Sequence, residues 1–124
     1  MNLFQRASAY IKGVDIIRDW LGNDGVVVEQ SLSQFRANIC NECPENQEGG
    51  KLAESVANAV KEHLELKNNL ELRVVGEKSL KRCNVCLCEL RLKVHVPLTI
   101  IKRHMTPTEF EKYPGHCWQV TEKL

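Results

Sequence analysis

Cys83-Asn84-Val85-Cys86-Leu87-Cys88 places three thiols in six residues, and Cys40-Asn41-Glu42-Cys43 upstream and Cys117 downstream answer it. Two cysteines separated by two residues can turn toward one ion from a tight backbone loop, and two such loops supply the four soft ligands that tetrahedral Zn²⁺ prefers. The order is Cys-x2-Cys, 39 residues, Cys-x2-Cys-x-Cys, 28 residues, Cys. That middle spacing exceeds the 15–20 residues of a plain zinc ribbon, so the residues between the knuckles form an insertion. The pattern predicts a metal-stapled domain.

For one Zn²⁺ the leading ligand set is Cys40, Cys43, Cys83 and Cys86, with Cys88, Cys117 and His116 as alternates. An iron–sulfur cluster is the alternative cofactor, because thiolates also suit iron. Cys88 and Cys117 are otherwise accounted for as small buried hydrophobes, Cys88 beside Leu90 and Cys117 with Trp118. Six cysteines in a secreted chain would argue for disulfides, but the N-terminus lacks the basic, apolar and small-residue order of a secretion signal. A cytoplasmic setting, that of a host cell or a virion assembled there, is therefore expected.

At 124 residues the chain is one domain's worth and has a modest core to rely on. Its 43% hydrophobic and 27% charged residues are ordinary globular values. No apolar run approaches the roughly 18 residues of a membrane span. Residues 1–62 hold six Lys/Arg against nine Asp/Glu, and residues 63–124 hold eleven against seven. The excess gathers in a basic strip over 78–103, where Lys81, Arg82, Arg91, Lys93, Lys102 and Arg103 are candidate nucleic-acid contacts.

Leu3, Phe4, Ala7, Tyr10, Ile11, Val14, Ile17 and Leu21 recur at helical spacing, and Gly22-Asn23-Asp24-Gly25 stops that helix. Residues 1–30 are thus an N-terminal amphipathic helix with a linker through Val26-Val27-Val28, and residues 31–124 are the cysteine-rich domain. Ser31-x-x-Gln34 resembles a capping box and opens a helix expected to bury Leu32, Phe35 and Ile39. The insertion at 51–67 is a helix with Leu52, Val56, Val60 and Leu64 on its inner stripe, supported by Ala53, Ala57 and His63. Leu70 to Val74 and Cys88 to Val96 alternate as strands. In the second, Leu90, Leu92, Val94 and Val96 face inward and Glu89, Arg91, Lys93 and His95 face water. Leu98 to Met105 leans helical, and Thr106-Pro107-Thr108-Glu109 signals a helix start. The fold class is α+β: a small zinc-ribbon or knuckle-like domain with amphipathic helices and a short antiparallel β element.

Arg36-x3-Cys40-x2-Cys43-Pro44, Cys83-x2-Cys86-x-Cys88-x-Leu90-x2-Lys93 and Cys117-Trp118 together resemble small cysteine-rich proteins of tailed bacteriophages and prophages. The resemblance covers the cysteine-bearing half. It departs where relatives carry glycine between the last two clustered cysteines and proline after the final one, at Leu87 and Trp118 here. It implies a zinc-binding accessory or virion protein and supplies no catalytic residue. No Gly-rich phosphate loop, His-Glu-x-x-His or Gly-x-Ser-x-Gly occurs. The expected function is a non-enzymatic structural module that binds a protein partner or its own copies. Nucleic-acid binding through the basic strip is the alternative.

Overall fold

A computed structural model describes residues 15–48, 51–68, 71–85 and 88–122, without the side chains of 51–54, 109 and 110. Cys86, Leu87 and the first fourteen residues of the expected N-terminal helix lie outside them. The architecture is α+β: helices around one two-stranded antiparallel sheet. Helix α1 spans 15–22. Its inward residues are Ile16 and Trp20, with Ile17 and Leu21 packed at the edge. The Gly25 N–H donates to the Trp20 carbonyl at 2.9 Å, a bond that closes the helix end through left-handed residues. Gly25 has φ +61°, and a Cβ there would stand 2.4 Å from Leu64 Cδ2. Glycine is thus required at that position both by backbone conformation and by space.

Helix α2 runs Gln30–Glu42 and buries Ser33, Arg36, Ala37 and Cys40. The expected inner set was Leu32, Phe35 and Ile39. Instead, Phe35 is 57% exposed and Leu32 and Ile39 are half-buried. The helix is rolled by about one residue because Arg36 finds several acceptors inside and a long buried guanidinium must be satisfied. Ser31 does not cap it; Glu29 holds the N-cap position and makes no side-chain cap bond.

After α2, strand β1 (Asn46–Gln47) pairs with β2 (Arg82–Cys83), with Asn46 opposite Cys83. Helix α3 (Lys51–Asn68) lies between them in sequence. It buries Ala57 and Leu64 while Val56 and His63 stay exposed, so the inner stripe is narrower than expected. Residues 71–74 alternate in burial as predicted, with Leu72 and Val74 inward, yet they form no strand. Side chains satisfy this backbone instead. The Leu72 N–H donates to Glu65 at 3.0 Å. Gln34 accepts from the Val75 N–H at 2.7 Å and donates to its carbonyl at 3.1 Å. Gln30 donates to the Arg73 carbonyl.

The largest difference is at 88–96. The expected strand is a short helix, α4 (Leu90–Lys93), followed by a turn. Leu90, Leu92, Val94 and Val96 are buried as expected, but so are Lys93 and His95, at 0% and 2% exposure. Every residue from Leu92 to Val96 is buried, so the alternation there does not mark a wet and a dry face. Helix α5 (Leu98–Arg103), α6 (Pro107–Phe110) and α7 (Trp118–Thr121) complete the chain.

Arg36 connects these parts. Its Nη1 donates to the Val96 carbonyl at 2.7 Å and the Val94 carbonyl at 3.1 Å. Its Nε and Nη2 grip Glu122 at 2.8 and 2.6 Å. The guanidinium lies 4.2 Å from the centroid of the Trp118 ring. Removing one member of a buried pair costs about 3–5 kcal/mol. Arg36→Met is accordingly expected to lower unfolding free energy by about that amount in urea titration. Glu122→Gln, which keeps an acceptor at the rim, should cost less than half as much.

Candidate metal centre

The last turn of α2 delivers Cys40 into the core, and Cys43 follows as its C-cap. The Cys43 N–H donates to the Cys40 carbonyl at 3.1 Å, and the Asn46 N–H to the Cys43 carbonyl at 3.1 Å. This turn feeds β1, which places the Cys40–Cys43 arm beside Cys83. The Asn84 N–H reaches back to the Glu45 carbonyl at 2.7 Å. Asn46 fixes the junction with its side chain, accepting from the Lys81 N–H at 2.8 Å and donating to the Ser79 carbonyl at 2.9 Å.

The second arm is a tight hairpin. The Cys83 N–H donates to the Cys88 carbonyl at 3.0 Å, and Arg82 bridges to Glu89 as an antiparallel pair. Cys83 and Cys88 therefore face each other at the hairpin's base. Cys86, fourth member of the leading ligand set, falls between them, outside the described residues.

The C-terminal turn carries Cys117 as the N-cap residue of α7. Trp118 Nε1 donates to Cys40 Sγ at 3.2 Å, and Gln119 Nε2 donates to Cys117 Sγ at 3.5 Å. Cys40, Cys83, Cys88 and Cys117 are all buried in one core cluster, whereas Cys43 is half-buried and His116 exposed. No disulfide joins the described cysteines to one another. Nor do any three His, Cys, Asp or Glu among the described residues stand together as a metal-holding group. Buried sulfur atoms thus lie on three segments, the end of α2, the Cys83–Cys88 hairpin and the C-terminal turn, and two of them, Cys40 and Cys117, accept N–H bonds. Asn46, Trp118 and Gln119 were not singled out as functional by the spacing pattern. Only the adjacency of Trp118 to Cys117 hinted at one of them.

The basic strip is dispersed. Lys93 is in the core, with Nζ 5.9 Å from the Tyr113 ring centroid. Arg82 pairs with Glu89 at 3.7 Å and Arg103 with Asp19 at 3.3 Å. Arg91 donates to the Leu80 carbonyl at 3.2 Å and to Asn58 at 3.3 Å. Lys81 and Lys102 are half-buried on separate elements. The expected row of Arg91, Lys93 and His95 on one exposed strand face does not form, because α4 replaces the strand.

Compared with known proteins, the chain matches no family model, no curated protein and no solved structure.

His95 has its Nδ1 3.0 Å from Ser33 Oγ, and its Nε2 is buried without a partner among the described residues. Burial pushes its pKa down to about 4, and the positive charges of Lys61 and Arg36 push the same way. The imidazole is neutral in the folded chain, while an unfolded chain protonates it near 6.5. Stability is therefore complete above pH 6.5 and declines as pH falls toward 4, by about 3 kcal/mol in all. His95→Asn should flatten this slope in denaturant titrations across that window. Asp19 acts separately: its hydrogen bond with His104, and then the charge of Arg103, hold its carboxyl below the usual 3.8. Its contribution is lost only at more acid pH.

Proposed function

We propose that this chain is a non-enzymatic structural metal-binding protein, a zinc-stapled module for protein interaction or assembly, of the kind a phage virion or other phage-encoded complex would use. The observation that carries the reading is the pairing of two arms distant in sequence. Asn46 opposite Cys83, with the Asn84 to Glu45 bond, holds Cys40–Cys43 beside the Cys83–Cys88 hairpin. A thiolate-bound ion with four protein ligands is coordinatively closed and contributes cross-linking, not chemistry. The chain's own part is to hold sulfur atoms in a dry, hydrogen-bonded core and to tie α2, the hairpin and α7 to it.

The interaction half of the proposal is supported by apolar side chains left in solvent. Phe35 is exposed on α2 and Val75 on the loop that Gln34 clasps to the same helix.

Metal content by mass spectrometry on the purified protein is expected to give zinc at one ion per chain, and it would distinguish zinc from iron. Because a structural ion contributes folding free energy directly, its verified removal by a strong chelator should collapse the far-ultraviolet circular dichroism. An unchanged spectrum after metal removal would overturn the proposal. Phe35→Glu is expected to leave metal content intact and to weaken association measured by size exclusion with light scattering.

A further inference from the structure

The solvent side of α3 carries a second apolar row that the core does not use. Val56, Ala59, His63 and Leu66 follow one another at steps of three, four and three, and all are exposed, Leu66 at 85% and Val56 at 55%. In the sequence Leu52 extends the row by one more step of four. Alternating steps of three and four are the a and d spacing of a helix that pairs with another helix. In that register Val56 and His63 take a, while Leu52, Ala59 and Leu66 take d.

The domain leaves this seam open. Gly25 lies against Leu64, Glu77 binds Lys61, Glu65 accepts from the Leu72 N–H, and Arg91 donates to Asn58. Positions 58, 61, 64 and 65 are c, f, b and c, on the side of the helix away from a and d. A helix laid along the seam therefore approaches from the side opposite the domain.

Charge selects the occupant. We infer that the seam is filled by α3 of a second copy of this chain, running parallel in a two-fold dimer. The inference rests on the interaction reading above, to which it gives a partner, on a surface separate from Phe35 and independent of the metal. Glu62 holds the g position beside the seam and Lys67 the next e position, and both are exposed. In a parallel pair a g residue faces the e residue five places further along the other helix, so Glu62 meets the partner's Lys67, and two-fold symmetry makes the contact twice. In an antiparallel pair g faces g, and Glu62 would meet only the partner's Glu62 or Ser55. Within one chain Lys67 stands 3.8 Å from Asp24, an exposed pair of little strength. The side chains agree with the charges: a β-branched residue at a with leucine at d favours two parallel strands, and a lone polar a residue, His63 here, fixes register.

The test is sedimentation equilibrium of the full chain over a range of concentrations, with Leu66→Glu, Phe35→Glu, Glu62→Lys and Lys67→Glu as variants. The wild type should give twice the chain mass. Leu66→Glu changes a side chain that is exposed in the single copy, so it should keep the wild-type circular dichroism and sediment as a monomer. Glu62→Lys and Lys67→Glu should each weaken the dimer about 10-fold, and mixing the two variants should restore it, because every g-to-e contact then joins opposite charges. If mixing restores nothing, the parallel arrangement is overturned. If Leu66→Glu keeps the wild-type mass while Phe35→Glu becomes monomeric, the seam is overturned and the interaction reading stands. A wild type that stays monomeric at every concentration overturns both.

Discussion

The buried guanidinium of Arg36 is the constraint on which the remaining structure depends. A group with five donors in a fixed plane cannot enter a core unless acceptors surround it. Here they come from two carbonyls at the end of α4 and a carboxylate from the C-terminal segment, and the aromatic face of Trp118 closes the remaining side. Such an arrangement contributes specificity more than stability, since desolvating the pair offsets much of its attraction. The specificity has a positional consequence. Arg36 and Cys40 are four residues apart on one helix, hence on one face, so fixing the first aims the second. Glu122 and Trp118 are on or beside α7, so the same guanidinium also places the turn that bears Cys117.

This explains which features were legible in the sequence. Turn chemistry is local, and it read correctly where Gly22 to Gly25 ends α1 and Thr106-Pro107 opens α6, whereas the capping box expected at Ser31 did not form because the helix starts at Gln30. The α3 helix, long and periodic, was equally plain. The cysteine spacing indicated two arms, and the β1–β2 pairing runs the segment after Cys43 alongside Arg82 and Cys83. Features that depend on distant partners did not read. Leu32, Phe35 and Ile39 look like the inner stripe of α2 until Arg36 claims the interior for reasons that sit 58 to 86 residues away.

The segment from Cys88 to Val96 failed for a related reason. Period-two alternation implies a strand only if one face meets water. Here α2 covers one side through Ser33 and Arg36, while Tyr113 approaches Lys93 from another. A lysine and a histidine that look like solvent markers are therefore interior, and a short helix satisfies the backbone locally. Residues 71–74 show the converse. Their alternation is real, but α2 presents glutamine amides where a neighbouring strand would stand. Amide side chains have the same donor and acceptor as a peptide bond, so the chain can be extended and satisfied without a sheet.

Charge compensation links the hub to the cysteines. The core already accommodates two basic side chains, Arg36 and Lys93, and the charge of Arg36 is spent on Glu122 in two parallel bonds. That leaves little of it for sulfur, even though Arg36 stacks on the very ring whose N–H reaches Cys40. Protonated thiols would need no cation, but they are poor acceptors for a buried indole, and an N–H so paired recovers little of its desolvation cost. Ionised sulfur would repay Trp118 through a stronger, charge-assisted bond. The indole bond to Cys40 ties α7 to the last turn of α2, and the same ring carries the Arg36 stack that orders both elements, so one aromatic side chain joins the guanidinium hub to the cysteine-bearing turn.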